Sequence, residues 1–203
     1  MANKLWDKGF KEDERIDAFT VGNDRELDHE LAPYDIMGTM AHITMLESVG
    51  LLSKEDLDKL LPVLKELYSS ACKGELYVEE DVEDIHSQIE LMLTHRLGDV
   101  GKKVHTGRSR NDQVLVDLKL YARAEIENTV HKVESLFNTL QEASERYKDV
   151  LIPGYTHLQV AMPSSFGLWF GAYAESLCDD LSIMKAAWDV VNLNPLGSAA
   201  GYG

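Results

Sequence analysis

Cysteine, basic side chains and long apolar runs are all scarce in this chain, and each scarcity narrows what it can be. Among 203 residues there are two cysteines, Cys72 and Cys178, far apart and with no C-x-x-C spacing. That argues against a disulfide framework and against a structural zinc site. Lysine and arginine number 20 against 35 acids, for a formal net charge of −15. An acidic surface of that size argues against nucleic acid and against anionic membranes as partners. No apolar run is long enough to span a bilayer, and Met1–Phe10 has no apolar core of a leader peptide. The expectation is a soluble, cytoplasmic protein. Internal repeats and low-complexity segments are also missing. What remains is 44% apolar and 27% charged residues, an ordinary globular balance with enough chain to bury a core.

Apolar periodicity supplies helices. One is expected from about Leu31 to Val49, with Ile36, Met40, Ile43 and Met45–Leu46 on its apolar side and Gly50 closing it. A second opens on Ser53, with Asp56 three residues on and Leu52 placed to staple to Leu57. Its face continues through Leu60, Leu64, Leu67 and Ala71 to Gly74, and Pro62 inside it is expected to kink it. A third is expected to open on the acids Glu79–Asp84, which suit a helix N-terminus, and to carry Ile85, Ile89, Met92 and Leu93. The fourth, from about Asn111 to Tyr147, is long. A loop with Pro153 and Gly154 separates it from a fifth helix that begins near Pro163 and runs through Trp169, Tyr173, Leu181 and Trp188 to Val191. That aromatic and methionine stripe reads as core or as a face buried against another subunit. No convincing alternating strand is visible, so the class is all-α. The expected organisation is a smaller helical domain over 1–110 and the first long helices of a bundle over 111–203.

Against the acidic background, one stretch stands apart: His105-Thr106-Gly107-Arg108-Ser109-Arg110-Asn111-Asp112-Gln113. Two arginines, a glycine and several capping residue types run straight into a helix N-terminus. Such an arrangement offers free backbone N–H groups, the positive end of the helix dipole and guanidinium forks that match carboxylates. It is a candidate anion site, although two arginines in a loop are also compatible with ordinary solvated charge. His86 and Glu90 fall on one helical face, as a surface pair or as part of a site. Thr156-His157 lies in a loop, where a histidine can be a simple surface residue or a group that moves protons near neutral pH.

The run His105–Gln113 resembles the signature of argininosuccinate lyases, within the fumarase/aspartase superfamily. Two further segments are similar to that family: Glu83-Asp84-Ile85-His86 with Glu90, and Pro153-Gly154-Tyr155-Thr156-His157-Leu158-Gln159. The resemblance implies a cofactor-free, metal-free β-elimination of argininosuccinate to arginine and fumarate. It further implies a homotetramer whose sites are each assembled from three subunits. Residue by residue, it implies catalytic roles for His157 and Thr156 and substrate contacts for Ser109, Arg110, Asn111 and His86. At Asp24 the chain departs from the family, which usually has a substrate-contacting serine four residues before an aspartate, here Asp28. Leu5–Phe10 and the glycine-rich Asn194–Gly203 resemble family segments too. The family's serine-bearing loop, which ends in Met-Pro-x-Lys-x-Asn-Pro, does not occur in these 203 residues. The resemblance thus reaches about half of a typical member, and a truncated, inactive piece is expected. Rival readings are another lyase of the superfamily, a non-catalytic δ-crystallin-like protein, or a module that binds succinyl-type anions without turnover.

Overall fold

The computed structural model describes residues 14–80 and 82–195. The resembling segments at Leu5–Phe10 and beyond Pro195 lie outside the described residues, as does Asp81. Two compact units are present, one reaching to Tyr121 and the other covering Ala122–Leu193.

The first unit is helical. After α1 (Glu14–Val21), the short α2 (Asp24–Leu27) and a 3-10 turn over Asp28–Glu30 come three packed helices, α3 (Ala32–Ser48), α4 (Lys54–Cys72) and α5 (Ile85–Leu97). Their apolar stripes meet in one core whose fully buried members include Ile36, Ile43, Leu60, Leu64, Ile85 and Leu93. α4 starts as its sequence dictates: the Ser53 hydroxyl accepts from the Asp56 N–H at 3.1 Å, a cap worth about 1 kcal/mol. Leu52 and Leu57 are both buried in the same core. The helix continues through Pro62, whose side chain is exposed. α5 begins later than its acidic lead-in suggests. Asp84 is the N-cap, accepting from the Ser87 N–H at 2.8 Å, and Glu79–Glu83 precede the helix. A capping carboxylate satisfies a free N–H directly, and that outweighs the diffuse attraction between acids and the dipole. A 3-10 segment, Gly98–His105, then folds back over α5. The approach is so close that a Cβ on Gly101 would lie 2.5 Å from the Leu93 carbonyl carbon.

The long α6 (Arg110–Arg146) starts in this unit. On α6 the apolar Leu118 is 44% exposed, whereas the neighbouring Asp117 is fully buried. The buried side chains of α6 are Asp112, Gln113 and Asp117. α3 shows the matching anomaly, since Asp35, Thr39 and His42 lie on its buried stripe beside Ile36 and Ile43. A polar seam is built into the unit.

The second unit holds the rest of α6, two strands and α7 (Phe166–Val191). The strands correct the sequence reading of a simple loop. β1 (Leu151–Thr156) and β2 (Gln159–Ser165) pair antiparallel, with an irregularity at Gly154. A Cβ at Gly154 would sit 2.7 Å from the Met162 carbonyl oxygen, so only glycine lets the backbones approach there. Pro163 belongs to β2, not to the fifth helix. α7 is capped by Ser165, whose hydroxyl accepts from the Leu168 N–H at 3.2 Å. Its start is pinned to the end of α6, since the Ser144 hydroxyl donates to the Gly167 carbonyl at 2.7 Å. The aromatic stripe of α7 is not a closed core within this chain: Trp169 is 47% and Tyr173 53% exposed. No helix among the described residues is long and apolar enough to cross a membrane. Both cysteines are free and exposed.

Candidate active site

In the first unit the singled-out stretch is the elbow between the 3-10 segment and α6. Ser109 closes a reciprocal cap with Asp112: the Ser109 N–H donates to Asp112 Oδ2 at 2.9 Å, and the Asp112 N–H donates to Ser109 Oγ at 3.3 Å. Arg110 is the first residue of α6; its guanidinium donates to Ser87 Oγ at 2.9 Å and pairs with Asp84. The two α5 cap residues therefore also aim an arginine. Asn111 is exposed on the same turn, and Asp24 is exposed on α2.

Arg108 points the other way, into the seam. It is 9% exposed and donates to Thr39 Oγ1 at 3.1 Å. Burial lowers its pKa, opposed first by the carboxylates of Asp35 and Asp117. Beside it lies His86, with Nδ1 3.3 Å from Asp35 Oδ1 and 3.5 Å from Asp117 Oδ2. Gln113 donates its amide to Asp35. Thr39, His86, Glu90, Arg108, Arg110 and Gln113 share the wall of a cavity of about 10 Å³, room for roughly one water.

The electrostatics follow from burial. Burial alone would lower the His86 pKa, but Asp35, Asp117 and Asp28 together raise it above the ordinary imidazole value. Burial, and then the charge of Asp35, push the Asp117 carboxyl up to about 8. Burial likewise raises Glu90. The two shifts at the centre of the seam act on stability with one sign. A carboxyl raised from 3.8 to about 8 binds its proton in the folded state first, so folding loses free energy as pH climbs across that window. The raised imidazole adds stability that is complete below its ordinary pKa and is lost as pH rises through the folded value. Asp117→Asn should therefore gain stability relative to the parent between about pH 5.5 and 8.5, read as urea midpoints at each pH. An unchanged difference between the two proteins would refute the assignment.

Asp35, His86 and Asp117 also place three ligand atoms within 4.8 Å of one another, a spacing a metal ion could use. The guanidinium of Arg108 faces the same two carboxylates and already supplies a cation. Asp35 and Asp117 are the members that sequence reasoning missed. The available signal was acids at apolar-phase positions of two helices.

Thr156 and His157 belong to the second unit. They lie at the tip of the β1–β2 hairpin, where Thr156 pairs with Gln159. His157 and Leu158 both have positive φ, 49° and 61°, as a two-residue hairpin turn of this hand requires. Asparagine and glycine adopt that shape easily; histidine and leucine do so at a cost of about 1 kcal/mol or more each. Strain of this kind is concentrated at working sites. Thr156 Oγ1 stands 2.9 Å from His157 Nδ1, so the hydroxyl can orient the ring. Both residues are exposed, and Leu158 beside them is 93% exposed.

The family profile described as "Lyase" matches residues 8–203. The chain belongs to this lyase family. It is 65% identical to the argininosuccinate lyase of Parabacteroides distasonis, over all of this chain and 46% of that protein. The argininosuccinate lyase of Thermotoga neapolitana is 39% identical, again over the whole chain and over 51% of the relative. The chain thus spans about half the length of the curated relatives it matches. Among solved structures, an EDDS lyase variant with bound fumarate superposes with a TM-score of 0.73 at 26% identity, over 97% of this chain and 38% of that one. A fumarate lyase:delta crystallin from Brucella melitensis reaches 0.72 at 13% identity, over 92% of this chain and 47% of that one, a likeness of fold alone.

Proposed function

We propose that the whole protein is an argininosuccinate lyase, which splits argininosuccinate into arginine and fumarate. The observation that carries the proposal is the elbow at Arg108–Gln113. It concentrates Arg108, Arg110 and His86 around a helix N-terminus in a chain of net charge −15. The names of relatives 65% and 39% identical support it. β-Elimination needs this kind of field. A base removes a proton from the carbon next to a carboxylate, the electron pair spreads onto that carboxylate, and cations nearby lower the energy of the charge that builds there. The carbon–nitrogen bond then breaks, and an acid gives a proton to the departing guanidinium nitrogen. Arg110, with Ser109, Asn111 and His86, contacts the dicarboxylate end. His157, oriented by Thr156, takes part in proton transfer. The exposed hairpin tip and the uncovered stripe of α7 fit a homotetramer in which sites combine parts of several copies. Residues 1–110 then form the N-terminal domain, 111–203 begin the central bundle, and the enzyme works in the cytoplasm without metal or organic cofactor.

One observation favours a second reading, a non-catalytic δ-crystallin-like protein. Asp24, exposed on α2, puts an acid where the family offers a serine hydroxyl, and a carboxylate there repels an anionic substrate. A single assay separates the readings. The full-length protein should release fumarate from argininosuccinate, followed by absorbance, and the 203-residue chain alone should not. A full-length protein that binds argininosuccinate without turnover would establish the second reading. Turnover by the isolated chain would overturn the division of the site between these residues and the rest of the full-length protein.

A further inference from the structure

The seam behind the anion site holds two buried carboxylates against one ring nitrogen. Asp35 of α3 and Asp117 of α6 are both fully buried, and the His86 side chain is 5% exposed. Neither oxygen of Asp117 and only one of Asp35 accepts a hydrogen bond among the described residues. Burying like charges this way is costly; apolar residues of the same volume would make a more stable seam. The arrangement becomes reasonable when, beside Arg108, a further positive group lies between the acids. His86 Nδ1 does, 3.3 Å from one and 3.5 Å from the other. An acceptor nitrogen 3.3 Å from the Asp35 carboxylate, which also takes a hydrogen bond from Gln113, would be repelled by it, so Nδ1 carries a proton. His86 also lines the cavity shared with Arg108 and Arg110.

We propose that Asp35 and Asp117 are positioning residues that hold His86 with Nδ1–H turned inward and the ring cationic. His86 thereby adds a third positive group to Arg108 and Arg110 in the field that receives a substrate carboxylate. The inference rests on the reading of this site as a carboxylate site. The other groups that face His86 are consistent with it. Asp28, from the turn before α3, adds a third acid, while burial and then Arg108 lower the pKa of His105, at the end of the 3-10 segment. Gln113 locks Asp35 in place with its amide, so ring, acid and helix α6 are held as one piece.

The test uses histidine-labelled full-length protein. The His86 NMR signal is followed against pH in the parent, in Asp35→Asn and in Asp117→Asn, and fumarate affinity is measured on the same samples. The parent should keep both ring nitrogens of His86 protonated through neutral pH. Asp35→Asn should move deprotonation to lower pH and weaken fumarate binding roughly ten-fold, the worth of one charge-assisted hydrogen bond. In steady state the loss should fall mainly on KM. Asp117→Asn should bring the alkaline loss of fumarate affinity to lower pH. It replaces a group that is largely uncharged near neutrality with one of the same shape, so it keeps the test alive if Asp35→Asn fails to fold. A parent His86 that is neutral at pH 7 overturns the proposal. So do folded variants with unaltered titration and affinity, or stoichiometric Zn²⁺ uptake that either variant abolishes. The reaction assignment stands or falls separately. A cationic His86 with no turnover of argininosuccinate would sink the lyase reading and leave the positioning intact, and turnover with a neutral His86 would do the reverse.

Discussion

His157→Asn in the full-length protein is expected to lower kcat for argininosuccinate by about 10²- to 10⁴-fold, the range of a lost proton-transfer group. The exchange is conservative for the backbone. His157 sits at φ 49°, and asparagine is among the few residues enriched in that left-handed region. The turn should therefore keep its shape, and the thermal midpoint should hold steady or rise slightly. The hydrogen bond from Thr156, now 2.9 Å from Nδ1, can re-form to the asparagine amide. What disappears is the imidazole. Because the tip is exposed, the loss cannot be a packing effect within the chain. Turnover within about ten-fold of the parent would remove His157 from the chemistry and leave its strained turn in need of another explanation.

The largest effect on stability is expected from Leu60→Ala. Leu60 is fully buried and sits in α4 on the stripe that meets α3 and α5. Truncation removes its transfer free energy and leaves a cavity, for a cost of about 2–5 kcal/mol. Whole domains are stable by only about 5–15 kcal/mol, so a large fraction of folding free energy is at risk. Urea unfolding should show the midpoint falling with the slope unchanged. A loss under about 1 kcal/mol would mean that the neighbours collapse into the gap and leave little cavity behind.

The parts of this protein that could be read from the chain share one property: their determinants are local. Ser53 with Asp56, and Gly50 and Gly74 at helix ends, are short-range signals, and α3, α4 and α6 fall within a residue or so of where periodicity puts them. The run at His105–Gln113 was legible because its residue types are rare in an acidic chain. The β1–β2 hairpin was not. Its strands are exposed over most of both faces, so no apolar alternation records them. Its turn uses His157 and Leu158 in place of the asparagine and glycine that announce such turns, while Pro153, Gly154 and Pro163 imitate a loop. The start of α5 was misread for a related reason: a row of acids suits a helix N-terminus in general, and only geometry selects Asp84 as the cap.

The seam is the clearest case of what lay beyond the chain. His86, Arg110 and Ser109 could be singled out, whereas Asp35 and Asp117 carry only the faint signal of acids at apolar-phase positions, because acids on helices are usually solvated. The sequence by itself determined the helical class, the helix boundaries set by caps and glycines, the acidic balance, and the position of a cationic elbow at a helix N-terminus. Only the tertiary structure decided that Asp35, His86, Arg108 and Asp117 share one buried volume, and that Thr156 and His157 ride a strained hairpin. Composition and periodicity count residues along one helix or strand. The charge state of a buried group depends on which distant residues lose water together with it, and folding in three dimensions sets that.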